Sequence, residues 1–395
     1  MATPHEDWML PAGVADVLPP EAEALERLRG TLLTLYRSWG YQLVITPMVE
    51  YLETLLTGVG QDLDLQTFKL TDQLNGRLMG VRADMTPQVA RIDAHHLHGE
   101  AVRRLCYVGT VLHTRPDAFG GSRCPLQMGA ELYGHGGCES DLEVLELMLE
   151  SLRVAGVVDV HLALGHSGIL RATLDAAGIP PPVRPLLLDI LQRKASPDLA
   201  SFLSAHAVSA EGGGLLRALL ELHGEPDVLP LAAEQLAEMP AAAGPLQELR
   251  WLVAQLRERW PAVALHVDLA ETRGYGYHGG LVFAAFQHGQ GREIARGGRY
   301  RMGGLQQARP ATGFTADIKT LLLASEPRVP APAPHTVLAP ATQDAALRDY
   351  VERLRREGHC VVTALPGAAS PPAAAIIEPD GQGGWHMRHC EDEKE

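Results

Sequence analysis

Asp84 and Glu131 are the acids of this chain whose surroundings point to ligand chemistry. Asp84 stands in Val81-Arg82-Ala83-Asp84-Met85-Thr86, immediately before the helix start Thr86-Pro87. A carboxylate there can pair with an ammonium group, or it can simply cap the helix. Glu131 lies inside the apolar run Leu126 to Tyr133. An acid in such a strand needs a partner, which can be a ligand or a buried cation. Arg273 and Tyr277 stand among Gly274, Gly276, Gly279 and Gly280, as a surface glycine loop or as a loop that closes on an anion. The five cysteines, Cys106, Cys124, Cys138, Cys360 and Cys390, form no CxxC pair, so neither a zinc site nor a disulfide framework is indicated. His95-His96 reads as a solvated helix end, and no phosphate-loop or dinucleotide fingerprint is present.

The elements that must position these residues follow from periodicity. Leu25, Leu28, Leu32 and Leu35 recur at helical spacing over Glu21 to Ser38, and Gly40 is the stop. Tyr41 to Thr46 reads as a strand closed by Pro47, and Thr67 to Arg82 as a hairpin around Asn75-Gly76. Thr86-Pro87 opens a helix with the threonine hydroxyl as cap. Strands are expected at 104–108, 126–133, 157–164, 265–269, 281–286 and 293–296, with a helix carrying Leu142, Leu145, Leu149 and Leu152 between the second and third. Residues 166–260 read as helical, and another helix is expected over 316–323. Two strand blocks separated by helices argue for an α+β domain with an antiparallel sheet.

The expected domains are a core over 1–325 with a helical insertion near 170–260, a proline-rich linker over 326–335, and a small α/β unit over 336–395 ending in a charged tail. In the last unit, strands are expected at 336–339, 360–365 and 373–377 around a helix at 345–357.

Bulk properties narrow the function. No stretch approaches the ~20 apolar residues that span a bilayer, and the first ten residues lack a secretory pattern, so a reduced cytoplasm is expected. The net charge of −14 argues against a grip on a large RNA, whose phosphates call for a basic surface.

Seven segments, in order, resemble the histidyl-tRNA synthetase catalytic domain. They are Leu10 to Pro19, the N-terminal signature; Gly40 to Glu50, class II motif 1; Val81 to Thr86, the R-x-[ED]-x-T loop; Leu126 to Glu131, a motif 2 strand; Arg273 to His278, the R-G-x-x-Y-[YH] loop; Gly297-Gly298-Arg299-Tyr300; and Ala311-Thr312-Gly313-Phe314 of motif 3. The resemblance implies a class II aminoacyl-tRNA synthetase-like antiparallel sheet flanked by helices, and self-association through motif 1. It also implies a histidine pocket made of Asp84, Thr86, Arg123, Gln127, Glu131, Arg273, Tyr277 and His278. Asp84 would take the α-ammonium, Glu131 and Tyr277 the two imidazole nitrogens, and Arg273 the carboxylate.

The departures from that family matter as much. Where a synthetase carries the arginine on the ATP α-phosphate this chain has His113, and the following glutamate is Arg115. A second loop arginine falls on Gly121, although Arg123 is kept, and the γ-phosphate arginine of motif 3 is Thr320, in Asp317-Ile318-Lys319-Thr320. Adenylate formation depends on positioned positive charge, and one such donor is worth roughly 10²–10³ in rate. His113 itself reads as drift without a role. About 60 residues follow the linker, fewer than a full anticodon-binding domain needs.

The combination resembles the regulatory subunits of ATP phosphoribosyltransferase. The resemblance implies a non-catalytic chain that joins a short-form catalytic subunit for the first step of L-histidine biosynthesis, transmits feedback inhibition by L-histidine, and needs no tRNA, membrane or cofactor. A divergent histidyl-tRNA synthetase and a histidine-sensing scaffold for another partner are the alternatives.

Overall fold

The computed structural model describes residues 9–57, 61–97, 99–116, 121–272, 278–289, 291, 293–301, 309–325 and 336–390. Two compact units divide near residue 327. The strands of the first, in chain order, are β1 Gln42–Leu43, β2 Val49–Tyr51, β3 Phe68–Thr71, β4 Leu78–Val81, β5 Arg103–Thr110, β6 Leu126–Tyr133, β7 Val160–His166, β8 His223–Gly224, β9 Ala264–Asp268, β10 His278–Gln287, β11 Glu293–Tyr300 and β12 Ala311–Asp317. Nine of them form one sheet in the order β1-β5-β6-β12-β11-β10-β7-β9-β8, and β2-β4-β3 form a small antiparallel sheet beside it.

The α+β expectation is met, with the antiparallel arrangement running through the middle of the large sheet and two parallel pairs toward its ends. The pairs from β5 to β7 are antiparallel, whereas β1 runs parallel to β5 and β9 parallel to β7. Parallel neighbours require a long crossover. The helical insertion between β7 and β9, from Ser167–Ala176 to Pro240–Arg259, is that crossover.

Alternation along β6 divides its residues between two cores. Met128, Ala130 and Leu132 enter the large core with Leu32 and Tyr36 of the helix Glu21–Ser38 and with Leu145, Met148 and Leu152 of the helix Cys138–Val154. Successive side chains point to opposite faces, so Gln127, Gly129, Glu131 and Tyr133 face the other way. There Met85, Val89, Leu105, Tyr107, Tyr133, Tyr300 and Ala311 form a second, smaller cluster. The candidate site is built on this second face.

Three local expectations need correction, while the hairpin around Asn75-Gly76 is present. The strand expected over Tyr41 to Thr46 is only two residues long; Val44 still donates to the Cys106 carbonyl at 2.9 Å before the chain turns away at Pro47. In that hairpin β3 and β4 pair antiparallel, their connection runs from Asp72 to Arg77, and Gly76, at φ 75°, relaxes its backbone. The helix at Thr86–His95 is not capped by the Thr86 hydroxyl; Asp84 Oδ1 accepts from Thr86 N at 3.0 Å instead. Residues 311–317, rich in Ala, Thr and Gly, form the central strand β12, and the helix begins only at Ile318.

The second unit has strands β13 Thr336–Ala339, β14 Cys360–Thr363, β15 Ala375–Pro379 and β16 Trp385–His389 in the order β14-β13-β15-β16. The helix Ala345–Arg356 buries Leu347, Val351 and Leu354 against Val337, Val361 and Ile377. Asp344 caps this helix through Ala346 N and also accepts from Trp385 Nε1 at 3.0 Å, which ties the helix start to β16, a strand not expected from sequence. The proline-rich segment 326–335 and the charged tail 391–395 lie outside the described residues.

Candidate functional site

Asp84, Thr86, Gln127 and Glu131 come together on the second face of the sheet. Strand periodicity sets Gln127 and Glu131 four residues apart on one side of β6, and the turn before the helix Thr86–His95 lays Asp84 and Thr86 over them. Gln127 joins the two elements. Its Oε1 accepts from Met85 N and its Nε2 donates to Asp84 Oδ1, both at 2.8 Å. Asp84 Oδ1 therefore takes two donors, and among the described residues none is bonded to Oδ2.

Glu131 is 1% exposed, and its partners among the described residues are all hydroxyls. Tyr107 and Thr86 donate to Oε1 at 3.2 and 3.3 Å, and Tyr300 donates to Oε2 at 2.8 Å. Tyr300 in turn meets Tyr133 at 3.0 Å between hydroxyl oxygens. Among the described residues no arginine, lysine or histidine pairs with Glu131, so the buried ion pair considered from sequence is not what holds it. Burial pushes its carboxyl up to about 8, even though the Tyr300, Tyr107 and Thr86 hydroxyls favour the ionised form. A buried carboxyl near neutrality is suited to receiving a polar ligand group that can trade protons with it.

Tyr107 and Tyr300 were not recognised from sequence. Tyr300 closes the Gly297-Gly298-Arg299-Tyr300 motif, and Tyr107 pairs with Gly129 in register, but seeing them as partners of Glu131 requires the pairing of β5, β6, β12 and β11. Gly313 sits directly opposite Glu131, and a methyl group there would overlap the Glu131 carboxylate. Gly313→Ala should therefore cost about 1–3 kcal/mol, the usual range for overpacking. A lowered urea midpoint measures it, and an unchanged midpoint would mean that the carboxylate moves freely.

Arg123 behaves differently from the other expected site residues. Its Nε donates to the His113 carbonyl at 2.9 Å and its Nη1 to the Ala12 carbonyl at 3.2 Å, and its guanidinium lies 5.3 Å from the Phe68 ring centroid. Its bonds thus hold backbone rather than the Asp84–Glu131 cluster. Arg273 and Tyr277 lie outside the described residues; His278 opens β10, and its side chain lies outside them too.

The positions that differ from a synthetase are tied internally. His113 is buried, and its Nε2 lies 2.9 Å from the Ala83 carbonyl. Thr320 donates to Asp317 Oδ2 at 2.9 Å, and Lys319 Nζ to the Cys124 carbonyl at 3.0 Å. Arg115 is exposed. No group of three or more His, Cys, Asp or Glu able to hold a metal occurs among the described residues.

A curated protein of Thioalkalivibrio sulfidiphilus named ATP phosphoribosyltransferase regulatory subunit is 53% identical over 94% of this chain and 95% of its own length. The chain belongs to the ATP phosphoribosyltransferase regulatory subunit family. A relative of the same name from Alkalilimnicola ehrlichii is 50% identical over 96% of this chain and 97% of its own. The profile described as Histidyl-tRNA synthetase matches residues 13–321, and that described as ATP phosphoribosyltransferase subunit HisZ C-terminal domain matches residues 334–380.

Among solved structures, a Bacillus halodurans ATP phosphoribosyltransferase regulatory subunit/histidyl-tRNA synthetase superposes with TM-score 0.81 at 26% identity, covering 94% of this chain and 96% of that one. A histidyl-tRNA synthetase from Nostoc shares the fold at TM-score 0.75 and 19% identity, with 97% of each chain covered. This family member therefore keeps the synthetase architecture around a site whose Asp84–Gln127–Glu131 side is assembled and whose His113 and Thr320 positions are occupied by internal bonds. Among its described residues no helix is long and apolar enough to cross a membrane.

Proposed function

We propose that this chain binds L-histidine at the Asp84–Glu131 site and, as a regulatory subunit, transmits its presence to a short-form ATP phosphoribosyltransferase catalytic subunit in the first step of histidine biosynthesis. One observation carries the reading: the site offers acceptors for an amine and an imidazole, while the residues at the phosphate-gripping positions are engaged with the chain itself. A carboxylate oxygen on the half-buried Asp84, with no donor among the described residues, suits an α-ammonium, and the Glu131 carboxyl suits an imidazole nitrogen. Arg273 would take the ligand carboxylate, and Tyr277 and His278 would close over the ring. Arg123 would act from beneath, through the backbone it holds.

A triphosphate needs permanent, forked cationic donors, which His113 and Thr320 do not supply. No aminoacylation follows from such a site. Self-association through the segment from Gly40 to Glu50 would cover its exposed apolar side chains, Ile45 at 85% with Leu43 and Met48 beside it. The complex would work in the cytoplasm.

The test mixes the purified chain with a short catalytic subunit. Phosphoribosyl-ATP formation should rise on addition of the chain and fall again with histidine, while the chain alone should show histidine-dependent ATP–pyrophosphate exchange only at background. A synthetase-like exchange rate, or a catalytic subunit indifferent to the chain, would overturn the reading.

A further inference from the structure

His113 has a defined task in this fold. Its backbone is fixed on two sides: its N–H donates to the Arg123 carbonyl at 2.8 Å, and it forms an isolated antiparallel bridge with Thr67. Arg123 returns a side-chain bond to the His113 carbonyl. The ring is therefore delivered to one place, where Nε2 meets the Ala83 carbonyl at 2.9 Å. A carbonyl oxygen only accepts, so Nε2 carries the proton and donates.

The Ala83 carbonyl belongs to the peptide plane that leads into Asp84. Peptide planarity means that holding this oxygen places the Asp84 nitrogen and Cα, and with Met85 N held by Gln127 on the other side the rotation that would swing the Asp84 Cα–Cβ bond is restricted. Arg82, one residue earlier, is anchored by bonds to the Thr110 carbonyl and to the Thr46 carbonyl and hydroxyl. Met85, two residues after Ala83, is anchored by Gln127. Ala83 is the link between those anchors, and His113 is the side chain that holds it.

We propose that His113 is a positioning residue for amine recognition: it fixes the turn that aims the Asp84 carboxylate at the α-ammonium of a bound amino acid. The inference rests on the histidine-site reading above and names a role that the synthetase resemblance does not supply. An arginine reaching outward to phosphate would leave the Ala83 carbonyl without this donor. The histidine replaces an outward grip with an inward brace.

The test compares His113→Met and His113→Gln with the wild type by calorimetry, using two ligands. Methionine matches the length and carries no donor; glutamine presents an amide N–H at a similar reach. The ligands are L-histidine and 3-(imidazol-4-yl)propanoate, which lacks the amine. The H113M protein should bind histidine roughly three- to tenfold more weakly, the worth of one hydrogen bond, and bind the amine-free analogue as the wild type does. The H113Q protein should recover most of the histidine affinity. Equal losses for both ligands would reduce His113 to a general packing residue and overturn the proposal, as would unchanged histidine binding by H113M. Failure of the wild type to bind histidine at all would instead overturn the histidine-site reading, and this inference with it.

Discussion

Asp84→Asn should weaken histidine binding by roughly ten- to a hundredfold, the range for losing a hydrogen bond to a charged group. The substitution isolates charge from structure. Asparagine keeps an oxygen where Oδ1 accepts from Thr86 N and Gln127 Nε2, so the helix cap and the Gln127 bridge survive. What is lost is the carboxylate oxygen left to the ligand, replaced by an N–H₂ that repels an ammonium. In the complex with the catalytic subunit, the same variant should keep its activating effect and lose histidine inhibition, because the substitution removes a ligand contact and keeps the bonds that hold the turn. Calorimetry and a phosphoribosyl-ATP assay with graded histidine check both halves. Wild-type histidine affinity in the Asp84→Asn protein would remove Asp84 from the site.

The second large effect concerns pH and Glu131. Its carboxyl is held near 8 in the folded chain against 4.5 when free. Below pH 4.5 both states carry the proton, and the term is constant. Between 4.5 and 8 the folded chain keeps a proton that the unfolded chain gives up, so raising the pH favours unfolding. Above 8 both are ionised, and the loss is complete. The slope is about 1.4 kcal/mol per pH unit while the difference lasts. Moving from pH 5 to pH 7.5 should therefore lower stability by about 3 kcal/mol through this group.

Glu131→Gln should abolish that slope. The amide is a neutral isostere whose oxygen can accept from Tyr300 while its N–H₂ donates to the Tyr107 and Thr86 hydroxyls. Asp141, whose carboxyl is also raised by burial, contributes equally to both proteins and cancels in the comparison. Urea unfolding of wild type and Glu131→Gln at pH 5 and 7.5 measures the difference. Parallel pH trends in the two would show that Glu131 is ionised in the folded chain throughout.

Much of the site could be read directly from residue order. Asp84, Thr86, Gln127 and Glu131 each stand in a short motif whose spacing survives, and the structure gathers all four. The losses at His113 and Thr320 were equally visible, because a missing guanidinium is a matter of composition at one position. Misreadings arose where several segments had to meet. The helix expected over 316–323 starts two residues too early, and no strand is expected over 311–317 because Ala, Thr and Gly carry little strand signal. That segment is a strand because β6 and β11 pair with it on both sides and Gly313 leaves room for Glu131. Arg123, expected at the ligand, also bonds the backbone of Ala12 and His113, contacts that depend on where the N-terminal segment packs.

The sequence by itself determined the α+β class, the helical insertion, the family and the chemical types available at the pocket, because each depends on local periodicity or on the identity of single residues. The tertiary structure alone decided that Glu131 meets the hydroxyls of Tyr107, Tyr300 and Thr86, with no cation bonded to it among the described residues, and that His113 meets the Ala83 carbonyl. Those facts depend on strand register and on which buried donors lie within hydrogen-bonding reach. The environment of a buried carboxylate is set by neighbours from distant parts of the chain, and residue order alone does not bring them together.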